Sequence, residues 1–145
     1  ISLGARRYRR HMVRLGLVVA EFNREVTEAM EERALEAAEE RGATVVETVH
    51  VPGAYDTPLA ADRLARRDDI DAVTVIGAIK SGDTDHDAVI GTAMAQGLTD
   101  VSLDRDTPVT LGVTGPGMSM DEAHARLGYG ASALEGAVDL AEELE

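Results

Sequence analysis

Seven consecutive residues, Lys80-Ser81-Gly82-Asp83-Thr84-Asp85-His86, gather a cation, two hydroxyls, a glycine, two carboxylates and an imidazole. They follow an apolar run, Val73 to Ile79, and precede apolar spacing that resumes at Val89 and Ile90. A glycine leading into a helix start lets backbone N–H groups face an anion, and the helix dipole favours phosphate there. The plainer alternative is N-capping by Asp83 or Thr84, since every helix start has donors to satisfy. A carboxylate at Asp83 would repel phosphate, so a bound phosphate would rely on backbone amides and the Thr84 hydroxyl. His86 falls on the first turn of the same helix, and histidine is the residue type suited to proton transfer near neutral pH. Asp83, Asp85, His86 and Asp87 could instead meet a hard cation, but tight sites gather ligands from several segments. No G-x-x-x-x-G-K-[ST], G-x-G-x-x-G or G-x-S-x-G occurs, so those nucleotide and hydrolase sites lack support.

Other unusual residues sit in polar segments. Phe22, the single phenylalanine, lies in one such segment beside Asn23. It could staple a helix capped by Asn23, although its partner would be Thr27, or it could stack on a planar heterocycle. Gly115-Pro116-Gly117 fits a turn with proline before a glycine of positive φ. Arg126 could pair with Asp121 or Glu122, or clamp a phosphate. His50 and His124 read as ordinary strand-end and helix-surface residues.

The elements that must position these residues alternate. Strand-like runs at Leu15–Ala20, Thr44–Val51, Ala72–Ala78 and Val109–Thr114 are nearly continuous Val, Ile and Leu, the pattern of strands covered on both faces. Helical stripes lie between them: Val26, Met30, Ala34, Ala37 and Ala38; then Leu59 and Leu64; then a wide one from Val89 and Ile90 through Met94 and Leu98 to Val101. Ala123 and Leu127 precede Gly128, and Leu134, Ala137, Val138 and Ala141 close the chain. The order β-α-β-α-β-α-β-α-α predicts a single-domain, three-layer α/β/α sandwich around a four-stranded parallel, flavodoxin-like sheet. In such sheets ligands bind beyond the carboxyl ends of the strands, where all of these loops emerge.

Composition narrows the function classes. The chain has 145 residues and no cysteine, which excludes disulfides and thiol chemistry and fits a reducing cytosol. No apolar run approaches the roughly 18–20 residues of a membrane span. Acids outnumber bases 27 to 14, and Lys80 is the single lysine. Such a surface repels nucleic acid and anionic membranes. It resembles proteins adapted to high salt, where screening removes self-repulsion. Residues 1–11 hold four arginines and no acid and read as a basic leader or tail, with the folded domain at 12–145.

Taken together, "VVAEFNREVT" (18–27), "VPGAYDTPLA" (51–60), "IGAIKSGDTDHD" (76–87), "PVTLGVTGPGM" (108–118) and "ARLGYG" (125–130) resemble the 6,7-dimethyl-8-ribityllumazine synthase family in its archaeal form. The resemblance implies condensation of 5-amino-6-(D-ribitylamino)uracil with 3,4-dihydroxy-2-butanone 4-phosphate, without metal or organic cofactor, in a cytoplasmic homo-pentamer or a larger assembly of pentamers. Carried over by position, Phe22 would stack on the pyrimidine with Asn23 beside it. Gly53, Ala54, Tyr55 and Asp56 would line the ribityl segment, and Ala78, Ile79 and Lys80 the pyrimidine edge. Gly82, Asp83 and Thr84 would seat the phosphate and His86 would move protons. Leu111 and Arg126 would arrive from the neighbouring subunit. Asp56 stands where many members carry Glu, and Leu111 where an aromatic is frequent. Ala131 falls near a frequent lysine, and Ser81 where arginine or glutamate is common. The resemblance also admits a related archaeal riboflavin synthase, or a non-catalytic flavin-binding or shell-forming protein.

Overall fold

The computed structural model describes residues 12–80, 85–118, 121–122 and 126–145; residues 1–11, read as a leader, lie outside them. The elements are β1 (Arg14–Ala20), α1 (Arg24–Glu40), β2 (Thr44–Val51), a 3-10 turn (Ala54–Asp56), α2 (Thr57–Ala65), β3 (Ala72–Lys80), α3 (His86–Arg105), β4 (Val109–Met118) and α4 (Tyr129–Glu143). Of the short helix expected before Gly128, Asp121 and Glu122 are helical, while Ala123 and His124 lie outside the described residues.

The strands form one parallel sheet in the order β2-β1-β3-β4. Leu15, Leu17, Val18 and Val19 of β1 are fully buried, so both faces of the central strand are covered, as its unbroken apolar run requires. On one face α1 and α4 pack through Val26, Met30, Ala34, Leu134 and Val138. On the other, α2 and α3 pack through Ala61, Leu64, Met94, Leu98 and Val101. The three-layer architecture read from the alternation is therefore the observed one. Each fully buried Leu or Val contributes about 1.5–3 kcal/mol.

The expected stripe of α1 is buried throughout. Gly42, at φ 68°, ends that helix: its N–H donates to Glu39 O (3.1 Å) and Ala43 N–H reaches Ala38 O (2.8 Å). This crossed pair, with glycine in the left-handed region, satisfies the last carbonyls of the helix.

Three expectations need correction. Leu59 is 63% exposed, and α2 presents Thr57, Ala61, Leu64 and Ala65 to the core instead. Val89 is likewise 63% exposed, so the stripe of α3 is buried only in its later turns. Gly115-Pro116-Gly117 is not a turn, because β4 runs on through Met118. The pairing passes from Ala78↔Thr114 to Lys80↔Met118, so two steps on β3 face four on β4. Extra residues on an edge strand make a bulge, one of the few strand positions that tolerates a proline.

Helix α4 sits unusually close to β4. A Cβ at Gly112 would lie 2.7 Å from Tyr129 O and 2.8 Å from Gly130 Cα, so only glycine fits beneath the first turn.

Arginine pairs fasten the amino-terminal ends of the strands. Arg14 donates to Asp71 through its backbone N–H (2.8 Å) and its guanidinium (3.1 Å). Arg67 bonds Glu47 and Asp69, and Arg105 Nε donates to Asp62 (2.8 Å). The hydrogen bond from Arg105 holds the Asp62 carboxyl below the usual carboxylate range, and Arg67 does the same to Asp69.

Candidate active site

In the order β2-β1-β3-β4 the chain moves outward from β1 in one direction and from β3 in the other. The switch point therefore lies between the carboxyl ends of β1 and β3, where open α/β sheets bind ligands. The structure builds a tied platform there. Asn23, the residue before α1, has φ 62° and ψ 51°, the left-handed region that Asn tolerates better than other side-chain-bearing residues. It makes no capping bond with its side chain. Its Nδ2 instead donates across the switch point to Ala78 O of β3 at 3.4 Å. Glu21 N–H donates to Val51 O (2.8 Å) and Phe22 N–H to Pro52 O (3.1 Å), so the loop after β1 is also stitched to the loop after β2. Strained backbone held by bonds on both flanks is a feature that functional sites often show.

Phe22 is 59% exposed, so most of its ring is left uncovered by this chain. It stands on the platform, open to a planar partner. In the next loop Ala54 is buried, and Tyr55 and Asp56 are exposed. Asp56 Oδ2 accepts the Gly53 N–H at 3.0 Å, so this carboxylate closes its own loop. Thr57 Oγ1 donates to Ala54 O (2.8 Å) and secures the turn from within. Ala78 and Ile79 are buried at the end of β3, and Lys80 is its last residue.

His86 opens α3 and is exposed, with Asp85 at the N-cap making no side-chain capping bond. Gly82, Asp83 and Thr84, expected to seat a phosphate or cap the helix, lie outside the described residues, as does Ser81. Arg126 takes up the ion pair with Glu122 (3.6 Å), and its Nη1 also donates to Glu122 O (3.3 Å). Leu111 is not brought to this rim. It pairs with Val75, three residues before Thr114, which puts it about 10 Å down the strand at the usual rise. Among the described residues no group of three or more His, Asp or Glu side chains is arranged to hold a metal.

A groove of about 500 Å³ opens at the opposite end of the sheet, lined by Arg66, Arg67, Asp71, Arg105 and Thr107 among others. Its arginines are engaged with Asp62, Asp69 and Glu47, and it carries neither the imidazole nor the aromatic ring. The candidate groups read from the sequence are therefore absent from this groove's lining.

The sequence reading missed one group beside the platform. His50, taken as an ordinary strand-end residue, lies with Nε2 3.0 and 3.1 Å from the two oxygens of Glu31. Arg24 Nη1 donates to Glu31 Oε1 at 3.1 Å. Arg24 and Glu31 are seven apart, two turns along one helix face, which was legible. That His50 meets them was not, because it comes from another element.

Comparison with known proteins points to one family. The model of the family described as 6,7-dimethyl-8-ribityllumazine synthase matches residues 12–145. A protein of that name from Halobacterium salinarum is 69% identical over 133 residues, covering 92% of this chain and all of the relative. One from Halorubrum lacusprofundi is 67% identical over 134 residues, with 92% and 100% covered. One from Methanocaldococcus jannaschii is 46% identical over 134 residues, with 92% and 95% covered.

Proposed function

The chain belongs to the 6,7-dimethyl-8-ribityllumazine synthase family, and from that premise we propose how its residues divide the work. It is a transferase of riboflavin biosynthesis: 5-amino-6-(D-ribitylamino)uracil condenses with 3,4-dihydroxy-2-butanone 4-phosphate to give the lumazine, phosphate and water.

In our reading the pyrimidine lies on Phe22, with Asn23, Ala78, Ile79 and Lys80 along its edge and Gly53 to Asp56 beside the ribityl chain. Gly82, Asp83 and Thr84 receive the phosphate at the approach to α3. The amine attacks the ketone and water leaves as the imine forms; phosphate is then eliminated and ring closure releases a second water. His86 carries protons in the first two stages. An amine and a ketone need no covalent enzyme adduct, so alignment supplies much of the acceleration. A placed acid–base adds about 10²–10⁴-fold.

The observation that carries this reading is the bond from Asn23 to Ala78 O, which ties an exposed Phe22 to the switch point. Acids at 85 and 87 flank His86, so phosphate needs a cation from elsewhere. We assign that role to Arg126 of a neighbouring protomer, with Leu111 arriving from the same side, in a homo-pentamer or an assembly of pentamers. The depth of Leu111 on its own strand and the exposure of Leu59, Val89 and Tyr129 support shared sites. Among the described residues no helix is long and apolar enough to cross a membrane, and we read the enzyme as cytoplasmic and salt-adapted.

The test is the two-substrate assay in molar KCl, following lumazine formation. His86→Ala should lower kcat about 10²–10⁴-fold; an unchanged kcat refutes its role. Mixing His86→Ala with Arg126→Ala protein should restore activity through hybrid interfaces. No recovery after verified subunit exchange refutes the contribution in trans.

A further inference from the structure

The Glu31 side chain is well shielded, 13% accessible against 58% for Glu28 on the same helix. It holds two donors from different parts of the chain: the guanidinium of Arg24, first residue of α1, and the imidazole of His50, penultimate in β2. Arg24 directly follows Phe22 and Asn23. His50 directly precedes Val51 and Pro52, whose carbonyls receive the Glu21 and Phe22 N–H groups. The side-chain bridge thus spans the same two segments as the backbone stitches, one residue further from the rim. A surface ion pair between two helix residues would add little. This one links α1 to β2, and together with the backbone bonds of Glu21 and Phe22 it closes a ring of contacts that includes Phe22.

We infer that Glu31, through Arg24 and His50, is a positioning residue for the pyrimidine half of the reaction. It fixes the two strand-end loops relative to each other, and so sets the height and tilt of Phe22 against Gly53 to Asp56 without touching substrate. The inference rests on the reading of Phe22 and residues 53–56 as the pyrimidine and ribityl platform. The phosphate half belongs to another segment, the approach to α3, so loosening this bridge should act on one substrate and spare the other.

The experiment is steady-state kinetics on the assembled enzyme, with each substrate varied in turn. Glu31→Ala, Glu31→Gln, His50→Gln and Phe22→Ala are compared, with thermal midpoints measured in parallel. Glu31→Ala should raise KM for the ribitylaminopyrimidine about five- to tenfold, the size of one ordinary hydrogen bond's net contribution, since the bridge acts on the platform and not on substrate. KM for the butanone phosphate should stay within twofold. Glu31→Gln keeps an acceptor oxygen and should recover most of the loss. His50→Gln, at the exposed strand end, should shift the same constant in the same direction without loss of folding.

If Glu31→Ala and His50→Gln lower only the thermal midpoint and the active fraction, or move both KM values equally, the bridge is structural and the inference is overturned. If Phe22→Ala leaves the pyrimidine KM unchanged, the platform itself is misread and the inference falls with it. A pyrimidine KM that responds to Phe22→Ala but not to Glu31→Ala overturns the inference alone.

Discussion

Two glycines on facing elements should respond oppositely to the same methyl group. At Gly112 an added Cβ would stand 2.7 Å from Tyr129 O, 2.8 Å from Gly130 Cα and 3.0 Å from the Ala133 Cβ. Two of these neighbours are backbone, so no rotamer change relieves them. The first turn of α4 has to withdraw by roughly half an ångström, and overpacking of this kind costs about 1–3 kcal/mol. At Gly136, inside the same helix, the nearest atom is Thr110 Cγ2 at 3.9 Å, an ordinary contact. Alanine there adds helix propensity worth about 0.5–1 kcal/mol. At roughly 2–4 °C per kcal/mol for a chain of this size, Gly112→Ala should lower the thermal midpoint by about 4–8 °C for 2 kcal/mol. Gly136→Ala should raise it by about 1–4 °C. Both are read by calorimetry at one salt and protein concentration, because assembly shifts apparent stability. A Gly112→Ala midpoint within 1 °C of the parent, or a Gly136→Ala loss of similar size, would refute the close seat of α4.

Three further outcomes follow from features already described. Thr114 is buried and its hydroxyl has no hydrogen-bond partner among the described residues, so Thr114→Val should raise stability by about 1 kcal/mol in urea titration; a loss would mean the hydroxyl is satisfied. Asp62 has its folded pKa depressed by Arg105, so its stabilisation is complete above the unfolded carboxylate range near 4 and disappears as pH falls through the folded value. Asp62→Asn should therefore lower the urea midpoint at pH 7 and converge with the parent near pH 2; a gap that widens on acidification refutes the pairing. With a formal net charge of −13, the parent should gain thermal stability as KCl rises from 0.1 to about 3 M, and a flat or falling curve refutes self-repulsion as the limit at low salt.

Sequence pattern revealed the layers but not every boundary. Thr44–Val51 has the same limits in the structure, because an apolar run between turn residues leaves no alternative. Val109–Thr114 was extended to Met118, since glycine and proline mark an edge bulge as readily as a turn. Leu59 and Val89 follow helical spacing yet face outward, because periodicity identifies an apolar face without saying whether this chain or another covers it. At the rim, Phe22 and Asn23 stood out by residue type. The bond from Asn23 to Ala78, 55 positions away, and the bridge through Glu31 exist only once separate strands are adjacent.

The displaced pairing at the end of β4 limits how another strand could add to this edge of the sheet. A neighbour trying to prolong the sheet past Thr114 would find no N–H at Pro116 and a ladder out of step with its own. Strand addition along that border would stop before it reached the rim, so the irregular end of β4 guards an otherwise open edge against unwanted pairing.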